Sequence, residues 1–96
     1  MIEFLIKRTD GDWFDFPPGS EPYRPVSIPF QRAEGWGEAR IEIDGCQISF
    51  SYEDPGVQVS FEGQILEQRA IAVAEEIRQR IEQVSGQTAE AIQISS

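Results

Sequence analysis

The chain has no histidine, a single cysteine and a single lysine. Without histidine it lacks the commonest general base, the Ser-His and Cys-His nucleophile pairs, and the usual zinc and haem ligand. One cysteine, Cys46, can form neither an internal disulfide nor a thiolate metal site. Nowhere does a Gly-rich phosphate cradle of the form GxxxxGK[ST] or GxGxxG occur. No apolar run approaches membrane-spanning length, and the N-terminal Met-Ile-Glu-Phe-Leu-Ile-Lys-Arg has the wrong order and length for a secretory signal. These absences point to a cytoplasmic protein without nucleotide, metal or other cofactor.

Positive charge is also scarce. Eight basic residues face seventeen acids, for a net charge of −9. Such a surface repels phosphates, which argues against nucleic acid as a partner, while the lack of a long apolar run argues against a membrane. It favours solubility and fast encounter with a basic protein surface. With 96 residues, the chain is expected to form one domain with a modest core.

What is present is distributed unevenly. Five of the six prolines (Pro17, Pro18, Pro22, Pro25, Pro29) lie between Thr9 and Gly37. So do six of the ten aromatic residues: Trp13, Phe14, Phe16, Tyr23, Phe30 and Trp36. Proline removes backbone donors and fixes φ, so residues 9–37 read as one long loop that no helix or central strand can cross. So many rings argue against disorder, and a loop of this length in a small domain is commonly functional.

The remainder reads as an α+β scaffold: a two-layer arrangement with a mainly antiparallel sheet of four to five strands and one long helix on one face. The order is β, long loop, β, β, β, α, β. Ile2 to Arg8 alternates as a strand, with Leu5 an apolar intruder on its polar face that the proline-rich loop is expected to cover. Residues 38–62 read as a three-stranded meander. Asp44-Gly45 suits a two-residue type I′ turn, which pairs Ile43 with Cys46, Ile41 with Ile48 and Ala39 with Phe50. Glu53-Asp54-Pro55-Gly56 reads as a four-residue connection with Pro at i+1 and Gly at i+2 of a type II turn. It sets Tyr52 opposite Val57 and Phe50 opposite Val59.

A helix is predicted over 64–85, with Leu66, Ala70, Val73, Ile77, Ile81 and Val84 on one stripe, Glu76 paired with Arg80, and Gly86 ending it. Its outer acids and arginines (Glu75, Glu76, Glu82, Arg78, Arg80) read as a solvated face. Residues 89–95 form a last strand, expected to turn Ile92 and Ile94 inward and to lie parallel to an earlier strand through a crossover. Arg40, Glu42, Gln47, Ser49, Ser51, Gln58 and Ser60 fall on the second, wet face of the sheet.

Three readings of function follow. The first is a non-catalytic protein-binding module using the 9–37 loop. Asp10, Asp12, Asp15 and Glu21 would meet a basic partner, Trp13, Phe14 and Tyr23 would anchor it, and Arg24, Arg32 and Trp36 are of interface-favoured types. In size, acidity, lack of catalytic residues and loop character, the chain is similar to small bacterial immunity or inhibitor proteins that neutralise a basic toxin. The second reading is a structural domain that self-associates, as a homodimer for example, through an edge strand or the Ser/Gln face. The third is a small enzyme or ligand carrier using a carboxylate such as Asp12 with Tyr23 or Tyr52. Asp10, Asp12 and Asp15 could present oxygens to a hard cation, but they miss the EF-hand spacing, and a polar turn explains them as well. Cys46 reads as a small core hydrophobe.

Overall fold

The structure is a computed structural model, which describes residues 1–35 and 39–96. Trp36, Gly37 and Glu38 lie outside the described residues, and with them the expectations placed on Trp36. The elements are β1 (Ile2–Arg8), β2 (Gln31–Arg32), β3 (Ala39–Ile43), β4 (Cys46–Glu53), β5 (Gly56–Glu62), α1 (Glu67–Ser85) and β6 (Ala89–Ser95). They form one open antiparallel sheet in the order β2-β3-β4-β5-β1-β6 with a single helix. The α+β class is as read from the sequence. The sixth strand is β2, a two-residue edge pairing inside the loop, where Gln31 meets Glu42 and Arg32 meets Ile41. Proline is excluded from central strands but tolerated beside a short edge.

The β3–β4–β5 meander has the predicted register. Ile43 pairs with Cys46, Ile41 with Ile48, and Ala39 with Phe50. Tyr52 pairs with Val57 and Phe50 with Val59. The β4–β5 connection is tighter than expected, since Glu53 also pairs with Gly56 and leaves Asp54-Pro55 alone at the corner. That pairing puts the proline at i+2 of the turn instead of i+1, and the Asp54–Pro55 peptide is cis.

β6 departs from its predicted placement. The helix carries the chain from the end of β5 to the Arg8 end of β1, where β6 enters beside β1's free edge. It runs in the same direction as β5, but β1 stands between them, so its hydrogen-bonded neighbour is antiparallel: Arg8 pairs with Ala89, Ile6 with Ala91 and Leu5 with Ile92. That register turns Ala89 and Ala91 toward the helix and Ile92 outward. Ile92 and Ile94 are therefore exposed, not inward. Alternation cannot choose between faces when both carry apolar residues, and a one-residue slip exchanges them.

The helix begins later than expected. Leu66 is extended at the N-cap and exposed, so it leaves the predicted stripe. Ala70, Val73, Ala74, Ile77 and Ile81 are buried, and Gly86 closes the helix with φ 73°, its N–H donating to the Glu82 carbonyl. The helix packs against β1 and β6. The proline-rich segment lies on the same sheet face, against β4, while Arg69 of the helix reaches Asp44 in the β3–β4 turn. Tyr23 stacks on Phe50 with ring centroids 5.2 Å apart, Phe14 stacks on Phe16 at 5.4 Å, and Pro25 is fully buried. The loop thus shares the helix layer and does not cover Leu5, which lies on the opposite face.

Candidate functional site

The acids of the loop do not stand free. Arg8 donates to the Asp10 carboxylate at 2.6 Å and to the Trp13 carbonyl at 2.7 Å. Asp10 also accepts the Asp12 N–H, and Asp12 accepts the Trp13 N–H. Gly11, at φ 80°, makes the reversal and donates to the Arg8 carbonyl. The Phe14 N–H donates to the Tyr52 hydroxyl, which donates back to the Phe14 carbonyl at 3.3 Å. Asp15 and Gln87 exchange two bonds: the Asp15 N–H to Oε1, and Nε2 to the carboxylate. From Asp10 to Asp15 nearly every residue is held by a bond to its own turn, to β1, to β4 or to the segment after the helix.

Trp13 stands in this frame at 50% exposure, its ring 5.1 Å from that of Tyr52. It is the most exposed aromatic ring among the described residues. Asp12 and Asp15, on either side of it, are exposed as well. The Arg8 hydrogen bond, helped by the Asp12 N–H, holds the Asp10 carboxyl below its usual range. Burial pushes the Tyr52 phenol up, with a further push from Asp15 and Asp12, so it stays protonated as a donor. Asp10 points at Arg8 and Asp15 at Gln87. Among the described residues no three Asp, Glu, Cys or His side chains gather to hold a metal.

The other predicted contact residues are dispersed. Phe14 is 6% exposed and belongs to the core. Tyr23 is half-buried against Phe50 and Phe16. Arg24 lies over the Phe30 ring at 5.4 Å. Glu21 forms an ion pair with Arg32 on another part of the loop. Of the predicted contact set, the structure brings Asp10, Asp12, Trp13 and Asp15 together on the surface and leaves Phe14, Tyr23, Arg24 and Glu21 outside that group.

Residues that sequence reasoning passed over do the positioning. Glu76 and Arg80, expected to pair with each other, reach across to the loop instead. Glu76 accepts the Ser27 N–H, the Ser27 hydroxyl and the Ile28 N–H. Arg80 donates to the Ser20 and Glu21 carbonyls. On the opposite flank Arg78 bridges Glu75 and Glu82, and Glu82 accepts the Ala89 N–H at the start of β6. The supposed solvated face is therefore two seams. Tyr52 could have been suspected from the sequence, since a tyrosine at the end of an apolar strand face needs a hydroxyl partner. The sequence marked Glu76 and Arg80 only as partners of each other, not of the loop.

The sheet's other face is less wet than expected. Arg40 grips Glu62 with two bonds across β4, and Ser49 and Ser60 are buried. A cavity of about 460 Å³ opens there among Met1, Glu3, Ser49, Ser51, Glu53, Gln58 and Ser60. A second, of about 400 Å³, lies beside the β3–β4 hairpin and Pro29–Gln31. Neither is lined by Trp13, Phe14, Phe16 or Tyr23. No helix among the described residues is long and apolar enough to cross a membrane. No protein-family model, curated protein or solved structure matches the chain.

Proposed function

We propose that this chain is a small non-catalytic protein-binding module of the cytoplasm, of inhibitor or immunity type, and that it presents the Asp10–Asp15 turn to a basic surface on another protein. One observation carries this reading: Trp13 is half-exposed on a turn whose backbone is bonded at almost every step, with Asp12 and Asp15 beside it. A large ring on a rigid turn binds without much loss of conformational entropy, and surrounding carboxylates steer a cationic partner. Tyr23, Phe14 and Arg24 serve by holding the loop down. The test is retention of partners from cell extract on immobilised wild-type, Trp13→Ala and Asp12→Ala proteins. Each substitution is expected to weaken the partner about tenfold or more, as removal of an interface anchor does. Unchanged affinity in both variants rejects the turn as the site.

A second reading has its own support. β6 is a seven-residue edge strand with one charged residue, Glu90, and Ile92 and Ile94 are exposed on it. Long, apolar edges invite strand pairing with a second copy. Light scattering over a concentration series tests this. Growth toward a dimer that Ile92→Lys abolishes supports it, and a constant monomer mass rejects it.

A further inference from the structure

The open sheet face carries a concavity that the reading above does not use. Its floor is made of uncharged polar side chains in register: Ser49 pairs with Ser60, and Ser51 with Gln58. Glu3 stands at its side, opposite Ser60 on β1. One oxygen of Glu3, Oε2, accepts both the Gln58 amide at 2.7 Å and the Ser60 hydroxyl at 2.9 Å. Its other oxygen takes no hydrogen bond among the described residues. No basic side chain lines the cavity. Lys7 is turned to Glu90 and Arg40 to Glu62.

Ser49 adds an independent observation. It is 3% exposed and lines this cavity, yet its hydroxyl has no partner among the described residues. The hydroxyl oxygen itself opens onto the cavity, where water or a ligand can meet it. Glu3 leaves a negative charge there, oriented by two neutral donors and without an ion pair among the described residues. Glu53, at the far end of the cavity, adds a second carboxylate, and Met1 gives an apolar wall. At about 460 Å³ the space is that of a small-molecule site.

We infer that this cavity binds a primary ammonium group on a short aliphatic chain, the nitrogen donating to Glu3 and to the Ser49 hydroxyl while the chain lies against Met1. An ammonium has three donors and no acceptor, which matches a carboxylate oxygen and a hydroxyl oxygen left open. The same chemistry is offered by a free alkylamine and by a lysine side chain.

The test is titration of ¹⁵N-labelled protein with n-butylamine, with n-butanol as the neutral control, and with Nα-acetyl-lysine methylamide as the peptide-like probe. Saturable shifts are expected at the Glu3, Ser49, Gln58 and Ser60 amides, with a Kd on the order of 1 mM for butylamine. Glu3→Gln is expected to weaken it about tenfold, the value of a hydrogen bond to a charged group. Tighter binding of the lysine probe than of butylamine assigns the site to a protein lysine, and equal or weaker binding assigns it to a free amine. Three results overturn the inference: no saturable shift, an equal response to n-butanol, or shifts as large at Asp10–Asp15 as at Glu3. Should Glu3→Gln fail to fold, Ser49→Leu fills the floor while keeping the charge, and amine binding that survives it equally overturns the site.

Discussion

Glu76, in the middle of the helix, accepts the backbone N–H of Ser27 at 2.6 Å across a separation of 49 residues. It also takes the Ile28 N–H and the Ser27 hydroxyl, so one carboxylate closes three donors of a segment with no ladder of its own. Arg80, one turn later, caps two carbonyls of the same segment. The proline-rich loop is ordered by the helix flank as much as by its rings.

Glu76→Gln is expected to destabilise the fold by about 1–2 kcal/mol, the lower part of the range for bonds to a charged group because Glu76 keeps contact with water. Hydrogen exchange at Ser27 and Ile28 should rise with it. Exchange left unchanged at both amides would show that the carboxylate does not hold the segment.

The same contact has a pH signature. The Ser27 and Ile28 N–H groups hold the Glu76 carboxyl below its ordinary value of 4.5. The unfolded chain therefore takes up the proton first as pH falls. Glu76's contribution is complete above about pH 4.5 and lost as pH drops through the lower folded value. Arg78 depresses Glu75 in the same sense. Urea midpoints measured from pH 7 to pH 3 should fall more steeply in wild type than in Glu76→Gln. Parallel curves would contradict this account.

Tyr52→Phe removes a hydroxyl that serves both backbone groups of Phe14. It leaves a part-buried N–H without its partner, at a cost of about 1–3 kcal/mol. The loss should appear in denaturant unfolding and as a change in the emission of Trp13, whose ring lies against Tyr52. A fully native spectrum with unchanged stability would mean that the turn is held without this bond.

Gly56→Ala should cost about 1–3 kcal/mol through overpacking. A Cβ there would press on the Ile6 carbonyl oxygen and come within 3.0 Å of Lys7 Cα and Cβ. These are atoms of the neighbouring strand that cannot swing aside. At Gly35 the obstruction is a side-chain end, the Arg40 guanidinium, which can yield by loosening its two bonds to Glu62, so Gly35→Ala should cost less than the backbone clash at Gly56. Thermal melts of the two variants give the comparison, and the reverse order would refute it.

Cys46 is fully buried, its sulfur directed to the Glu62 carbonyl at 3.3 Å. Burial pushes its thiol up, and Glu62 and Asp44 add to the shift. Thiol reagents should therefore label it only through unfolding, with a rate that follows denaturant concentration. Rapid labelling of native protein would place the sulfur at the surface.

Local pattern was enough for the centre of the fold. The β3–β4 turn at Asp44-Gly45 and the alternation on either side agree on one register, and Tyr52 opposite Val57 follows from the next turn. Gly86 stops the helix where its stripe ends, because only a residue at ease with positive φ closes that turn. The Asp10–Asp15 cluster was visible as a dense acidic turn with a tryptophan at its middle. These are features that neighbours in sequence determine through backbone period and turn geometry. Tertiary structure alone decided the rest. It set β1 between β5 and β6, faced Ile92 and Ile94 outward, folded Phe14 and Tyr23 indoors while leaving Trp13 half out, and drew Glu76 and Arg80 apart to bind the loop. Each of those outcomes depends on which distant surface a side chain meets, and a periodic pattern carries no information about that partner.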